Sequence, residues 1–126
     1  MLPIKTNIEF GGGLTLDSVH NTATLTTKSQ NNFLVTDLQN FNLIVFTSTG
    51  DVDLKGLDSS GVNGWQKFVI MNGNTTDTNL KIKKNNSGSL AANRFLIKDD
   101  IIINFGEFYF IIYNQNQQRW NVHAKE

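Results

Sequence analysis

Apolar and polar residues alternate with a period of two along most of the chain. Leu80 and Ile82, for example, alternate with Lys81 and Lys83, as in a strand with one buried and one solvated face. Residues 22–27 are rich in threonine, a β-branched residue that favours strands. The same reasoning predicts further strands at residues 33–36, 42–47, 52–57, 65–71, 95–97, 101–104, 108–113 and 119–123.

Turn-forming residues separate these segments at a spacing of about 8–15 residues, which is typical of an all-β sandwich. Clusters of Gly, Asn, Asp and Ser stand, for example, at residues 58–61 and 85–88. Only residues 89–93 favour a helix, of a single turn, and no internal repeat is evident at a fixed period. The sequence therefore predicts an all-β fold, an antiparallel, jelly-roll-like β-sandwich of about eight or more strands.

The first twenty residues follow a different pattern. Residues 2–10 are followed by Gly11-Gly12-Gly13, and consecutive glycines resist regular structure. We interpret residues 1–20 as a short N-terminal arm or linker and residues 21–126 as the β-sandwich domain. An ordinary first strand with a loose turn is the alternative, and the sequence does not decide between the two.

Two predicted strands are apolar on both faces, residues 43–46 and residues 108–113. A strand of an antiparallel sandwich normally exposes one face to water, and 126 residues leave little material for a third layer. We expect another subunit to cover the face formed by Tyr109, Ile111 and Tyr113, so the chain is predicted to form a homo-oligomer. Another layer of the same chain is the competing explanation.

Composition narrows the classes of function. The chain carries 11 basic and 11 acidic side chains, and this zero net charge argues against binding of nucleic acid. No apolar run approaches the roughly 18 residues of a membrane span, the start lacks the features of a secretory signal, and no cysteine exists for a disulfide or a thiolate zinc site. Asn, Gln, Thr and Ser make up 42 of the 126 residues, which predicts a neutral surface rich in amides and hydroxyls.

Candidate catalytic groups are few and scattered. His20 and His123 are the two histidines, and neither has a neighbouring histidine or acidic cluster in the sequence, whereas catalysis or metal binding needs several convergent groups. Asp99 and Asp100 are adjacent, so on a strand they would point to opposite faces. The glutamates that could act as a second carboxylate are dispersed along the chain: Glu9, Glu107 and Glu126.

Residues 50–58 superficially resemble a calcium-binding loop. Lys55 occupies the fifth position and Val62 the twelfth, where such a loop requires oxygen ligands. A weaker oxygen site at Asp58, Ser59 and Ser60 stays open. We therefore assign no catalytic, metal-binding or cofactor-binding residue, and we predict that the protein is not an enzyme.

The C-terminal third carries the most specific motifs. Asn93-Arg94-Phe95 ends a Ser- and Ala-rich segment, an Ile-rich strand and a Gly turn follow, and an aromatic strand leads to Arg119-Trp120. This arrangement resembles the end of β-sandwich domains in virion proteins of tailed bacteriophages, such as head fibres, tail fibres and receptor-binding tips. It covers residues 86–122, with Phe105-Gly106 where such domains usually have Pro-Gly and Asn114 where they usually have Asp.

The resemblance implies a non-enzymatic structural protein of the virion: a fibre, a decoration protein or a host-attachment component. It also implies a trimer, attachment to other virion proteins through the N-terminal arm, and a host surface glycan or receptor as a further partner. The alternative function is that of a carbohydrate-binding module of a bacterial surface or secreted protein. The predicted neutral surface, rich in amides and hydroxyls, supports this alternative. Arg119-Trp120 would then be a sugar-stacking platform, although Trp120 alternates with Val122 and is expected in the core.

Overall fold

The computed structural model describes residues 4–10, 14–62 and 64–124. In this part of the chain there are two short 3₁₀ helices, Leu38–Asn40 and Ala91–Asn93, and no helix long and apolar enough to cross a membrane. The prediction of an all-β fold is confirmed. The strands are β1 (Ile4–Phe10), β2 (Leu14–Leu25), β3 (Ser29–Gln30), β4 (Leu43–Ser48), β5 (Val52–Leu54), β6 (Lys67–Asn72), β7 (Asn79–Ile82), β8 (Ile101–Asn104), β9 (Phe108–Asn114) and β10 (Arg119–Ala124).

The strands form two sheets that enclose one hydrophobic core. The larger sheet has the order β1-β2-β4-β6-β9-β10, and the smaller has the order β3-β5-β7-β8. Ile44 and Ile70 of the larger sheet and Leu54 and Ile82 of the smaller one are 0% exposed and belong to the same cluster of buried side chains. The alternating pattern at residues 80–83 predicts correctly that Leu80 and Ile82 are buried.

Between β2 and β7 the chain winds from one sheet to the other and back. β2, β4 and β6 lie parallel in the larger sheet, and β3, β5 and β7 lie parallel in the smaller one. Paired residues in the larger sheet are 23 positions apart (His20 with Leu43) and then 26 positions apart (Leu43 with Val69). Successive windings of the chain, each with one strand in each sheet, thus stack as in a short solenoid. The windings differ in length, which explains why the sequence shows no fixed period.

The predicted antiparallel orientation is wrong for these pairs. The jelly-roll arrangement, which needs antiparallel neighbours, is not confirmed. A period of two specifies which side chains share a face but not the direction of the neighbouring strand. Antiparallel pairing does occur around the parallel part, where β1 pairs with β2, β7 with β8, and β9 with both β6 and β10.

The predicted N-terminal arm coincides with a strand pair. Up to His20, β2 pairs with β1, and from His20 onward it pairs with β4. The predicted hinge at Gly11, Gly12 and Gly13 lies outside the described residues. The division of the chain into residues 1–20 and 21–126 therefore stays a prediction.

The two faces of β9 are assigned oppositely to our expectation. Ile111 and Tyr113 are buried in the core, with Tyr109 packed against it, so the prediction that this face needs another subunit is wrong. Phe108 and Phe110 instead lie on the outward face. The sequence could not distinguish the faces, because β9 is apolar on both and only its two neighbouring strands decide which side meets the second sheet.

Candidate functional site

An open groove with a volume of about 650 Å³ lies between the segment 96–101 and strand β10. Its lining combines aliphatic side chains with amides and with charged groups. The lining includes Leu96, Ile101, Asn114, Gln117, Asn121 and His123, together with the charged residues Lys98 and Asp99. Such a mixture of apolar surface and a few polar groups is typical of a binding site.

The groove opens where two paired segments separate. The backbone N–H of Trp120 donates to the carbonyl oxygen of Arg94 at 3.0 Å, and the N–H of Leu96 donates to the carbonyl oxygen of Trp120 at 2.8 Å. The carbonyl oxygen of Leu96 then accepts a bond from the side-chain Nδ2 of Asn121, at 3.1 Å, instead of from the β10 backbone. The chain leaves β10 at this point and enters β8 at Ile101.

Three amide side chains at the β9–β10 turn hold one another in place. Asn114 Nδ2 donates to Asn121 Oδ1 at 3.0 Å, and the backbone N–H of Gln117 donates to Asn114 Oδ1 at 3.1 Å. Asn121 Nδ2 also lies 3.4 Å from Gln117 Oε1. The turn includes Gln118 in the left-handed region, at φ 51°. These bonds fix the polar wall of the groove.

An ion pair anchors the opposite wall. Asp100 Oδ2 accepts a bond from Lys83 Nζ at 2.8 Å, and Asp100 Oδ1 accepts one from the backbone N–H of Lys84 at 2.7 Å. The hydrogen bond from Lys83, followed by that from Lys84, lowers the pKa of Asp100, and the bond to Asp100 raises the pKa of Lys83. Asp99 lies in a bend and Asp100 directly precedes β8, so neither carboxylate lies on a strand.

The structure separates the two histidines. His123 is exposed, lines the groove and pairs in register with Phe110 on β9. His20 lies on β2, with β4, β6 and β9 between it and β10, and its Nδ1 is buried without a hydrogen-bond partner among the described residues. Within the described residues no group of three or more His, Asp or Glu side chains converges as a metal site would require.

The loop that we considered as a weak oxygen site is tied into the scaffold. Ser59 Oγ donates to the carbonyl oxygen of Ala92 at 2.9 Å, and the N–H of Ser59 donates to Asn93 Oδ1 at 2.9 Å. Asp58 Oδ1 accepts the N–H of Ser60 at 2.8 Å, which closes a tight turn. These contacts give Asp58 and Ser59 a structural role.

Trp120 belongs to the core, as its alternation with Val122 predicts. Its side chain is 0% exposed and donates from Nε1 to the carbonyl oxygen of Leu57 at 3.0 Å. The interpretation of Arg119-Trp120 as a sugar-stacking platform is therefore wrong. Arg94 Nε donates to the carbonyl oxygen of Ser89 at 2.9 Å. Among the described residues that line the groove there is no Trp, Tyr or Phe.

Sequence reasoning missed the groove amides and two buried asparagines. Asn72 Nδ2 donates to the carbonyl oxygens of Thr78 and Ile103, at 2.9 and 3.0 Å, and Asn93 Nδ2 donates to Asn32 Oδ1 at 2.9 Å. With 17 asparagines in the chain, nothing local distinguishes these two from those on the surface. The dense amide run at residues 114–118 was a usable signal for the groove.

Comparisons with known proteins place the chain in no family. No family model matches it, and no curated protein is similar to it. One solved structure, titled "Structure of a chaperone-substrate complex", is similar with a TM-score of 0.38 and 14% sequence identity. The similarity covers 78% of this chain and 14% of that chain.

Proposed function

We propose that this chain is a non-enzymatic structural protein of a tailed-bacteriophage virion, serving as a fibre, decoration or host-attachment component. The observation that supports this is the role of the resembling segment, residues 86–122, in holding the molecule together. Phe95 forms bridges to both Lys84 and Trp120, and Phe95 and Trp120 are 0% exposed. Residues of the resembling motif thus make core and backbone contacts, as expected of a shared structural element.

We further propose a homo-oligomer, most simply a trimer, that forms through the outward side of the larger sheet. We define the outer face as Leu43, Val45, Val69, Met71, Phe108, Phe110 and Ile112, which lie on β4, β6 and β9 and point away from the main core. An apolar outward face on a sheet favours a protein partner. The number three comes from the resemblance to phage fibres, and residues 1–20 would contact other virion proteins.

Association with particles tests the proposal. Mass spectrometry of gradient-purified particles, produced from the genome that encodes this chain, should detect it in constant ratio to the major capsid protein. Detection only in the unassembled fraction of the lysate would contradict the proposal.

A glycan array on the purified chain tests the alternative, a carbohydrate-binding module. Its supporting observation is the amide-lined groove. Because a receptor-binding tip can also bind sugar, glycan binding alone does not separate the two functions. Glycan binding by a chain that is absent from purified particles would favour the module.

A further inference from the structure

The outer edge of β10 is paired with the segment Arg94–Leu96, and this pairing stops inside the groove. Strand β10 is the last strand of the larger sheet, and both backbone groups of Trp120 point away from β9, toward Arg94 and Leu96. Peptide groups alternate in direction along an antiparallel strand, so the N–H and C=O of Val122 point to the same side. Neither group has a hydrogen-bond partner among the described residues.

The side chain of Asn121 marks where this pairing stops. In a regular parallel ladder the carbonyl oxygen of Leu96 would next accept the N–H of Val122. It accepts Asn121 Nδ2 instead, and among the described residues no backbone hydrogen bond joins residues 97–100 to β10. Val122, which lines the groove, is thus left with one donor and one acceptor at an open strand edge.

We propose that the groove is a docking site for an extended, uncharged peptide strand of a partner protein, which pairs with β10 at Val122. Addition of a strand to an open edge supplies a main-chain acceptor for the Val122 N–H and a main-chain donor for its C=O. This inference is independent of the virion assignment, because it rests on the backbone groups of β10 and the lining of the groove.

The groove walls define the chemistry of the peptide. Side chains of an extended strand alternate between two sides, so one row meets the aliphatic surface of Leu96 and Ile101 and the other meets the amides. The carboxylate and ammonium groups of the lining belong to Lys98, Asp99 and Asp100, and Asp100 is already paired with Lys83. The remaining charges of Lys98 and Asp99 are opposite, so they favour no net charge in the ligand. The described lining contains no Trp, Tyr or Phe, the large rings on which sugars stack, and His123 is its one aromatic side chain. This favours a peptide over a saccharide.

Selection from a display library of random nine-residue peptides on the full chain, followed by amide hydrogen exchange, tests the proposal. We expect enriched peptides to be uncharged with alternating aliphatic and polar residues. At saturation they should slow the exchange of the Val122 amide about tenfold or more, a protection that a backbone hydrogen bond can confer. The Ile111 amide, on the neighbouring strand, is the internal reference.

N-methylated versions of an enriched peptide supply the matched control. Methylation of the backbone nitrogen that pairs with the Val122 carbonyl should weaken the Kd about tenfold. Methylation of the next nitrogen, which points away from β10, should weaken it far less.

Val122→Pro removes the edge donor from the protein itself. Proline is tolerated where the strand N–H faces outward, and the variant should lose peptide binding. Since the Val122 side chain is buried, circular dichroism must show the native spectrum. If the variant unfolds, the N-methylated peptides decide the question.

Three results would overturn the proposal: no enriched peptide, equal effects of methylation at both positions, or no protection of Val122. Protection of Val122 by a neutral glycan and by no peptide would identify a saccharide site instead.

Discussion

At the residue scale, short polar side chains connect segments that are distant in the sequence. Asn93 accepts bonds from the N–H and the hydroxyl of Ser59 and donates to Asn32, and Asn72 links β6 to Ile103 of β8. Loss of a partner from such a buried group typically costs about 1–3 kcal/mol. The abundance of asparagine therefore contributes to the interior as well as to the neutral surface.

The ion pair of Asp100 makes stability depend on pH in a defined direction. The pKa of Asp100 is lowered in the folded chain by the hydrogen bonds from Lys83 and Lys84. The ionised Asp100 carboxylate therefore stabilises the fold fully at a pH above the pKa of an unfolded Asp, about 3.9. This stabilisation is lost as the pH falls through the lower pKa that Asp100 has in the folded chain.

Asp100→Asn should lower the Tm slightly at pH 7, because it removes the charge but keeps an acceptor for the Lys84 N–H. The difference from the wild type should shrink as the pH falls from 5 to about 2. Thermal melts followed by circular dichroism measure both effects. Asp99→Asn is the control, and an equal or larger effect of that change would contradict this role of Asp100.

At the element scale, β9 separates two kinds of apolar environment. Ile111 is 2% exposed and faces the core, whereas its neighbour Ile112 is half-buried and faces outward. In register, Ile112 lies opposite Lys67 on β6 and Asn121 on β10. A carboxylate at position 112 would thus have polar neighbours, while one at position 111 would have none.

Two substitutions on adjacent residues should therefore differ greatly in effect. Ile111→Asp should lower the free energy of unfolding by more than about 4 kcal/mol, because it buries an unpaired charge. Ile112→Asp should cost at most about 1 kcal/mol. Urea titration at low protein concentration measures both, and similar losses for the two variants would show that the faces of β9 are assigned incorrectly.

At the scale of the whole molecule, the larger sheet presents two surfaces for the proposed contacts. One is the outer face on β4, β6 and β9, where Leu43 and Val69 are buried and the other members are half-buried. The other is the groove beside β10. The two surfaces adjoin, because Ile112 and Phe110 of the outer face lie opposite Asn121 and His123 of the groove in register. The residues that define the outer face and those that line the groove are nevertheless different.

Light scattering on the purified chain tests the proposed assembly. At micromolar concentration we expect an oligomer, because burial of apolar side chains contributes about 25 cal/mol per Å². The expected mass of three chains comes from the resemblance to phage fibres. Ile112→Asp should reduce the mass to that of a single chain while the circular dichroism spectrum stays native. A wild-type mass of one chain would refute the oligomer, and a mass of two chains would refute only the trimer.

Much of the fold could be predicted because burial follows local alternation. The pattern at Leu80 and Ile82 predicts a strand whose core side chains are correctly identified, and Trp120 is placed in the core by its spacing from Val122. The candidate site could not be predicted in the same way. Its amides act together only because Asn114 and Asn121 lie across a turn and Leu96 lies beside β10.

The sequence by itself determined that the chain is all-β and which side chains in the half-buried strands face inward. Both follow from the alternation of polar and apolar residues, which is a relation between neighbours in the sequence. Only the tertiary structure decided that β2, β4 and β6 run parallel, which face of β9 meets the core, and where β10 is left open. These features depend on contacts such as that of Trp120 with Leu57, between residues far apart in the chain. Such contacts form when whole windings of the chain stack, and no local pattern encodes the direction in which neighbouring strands run.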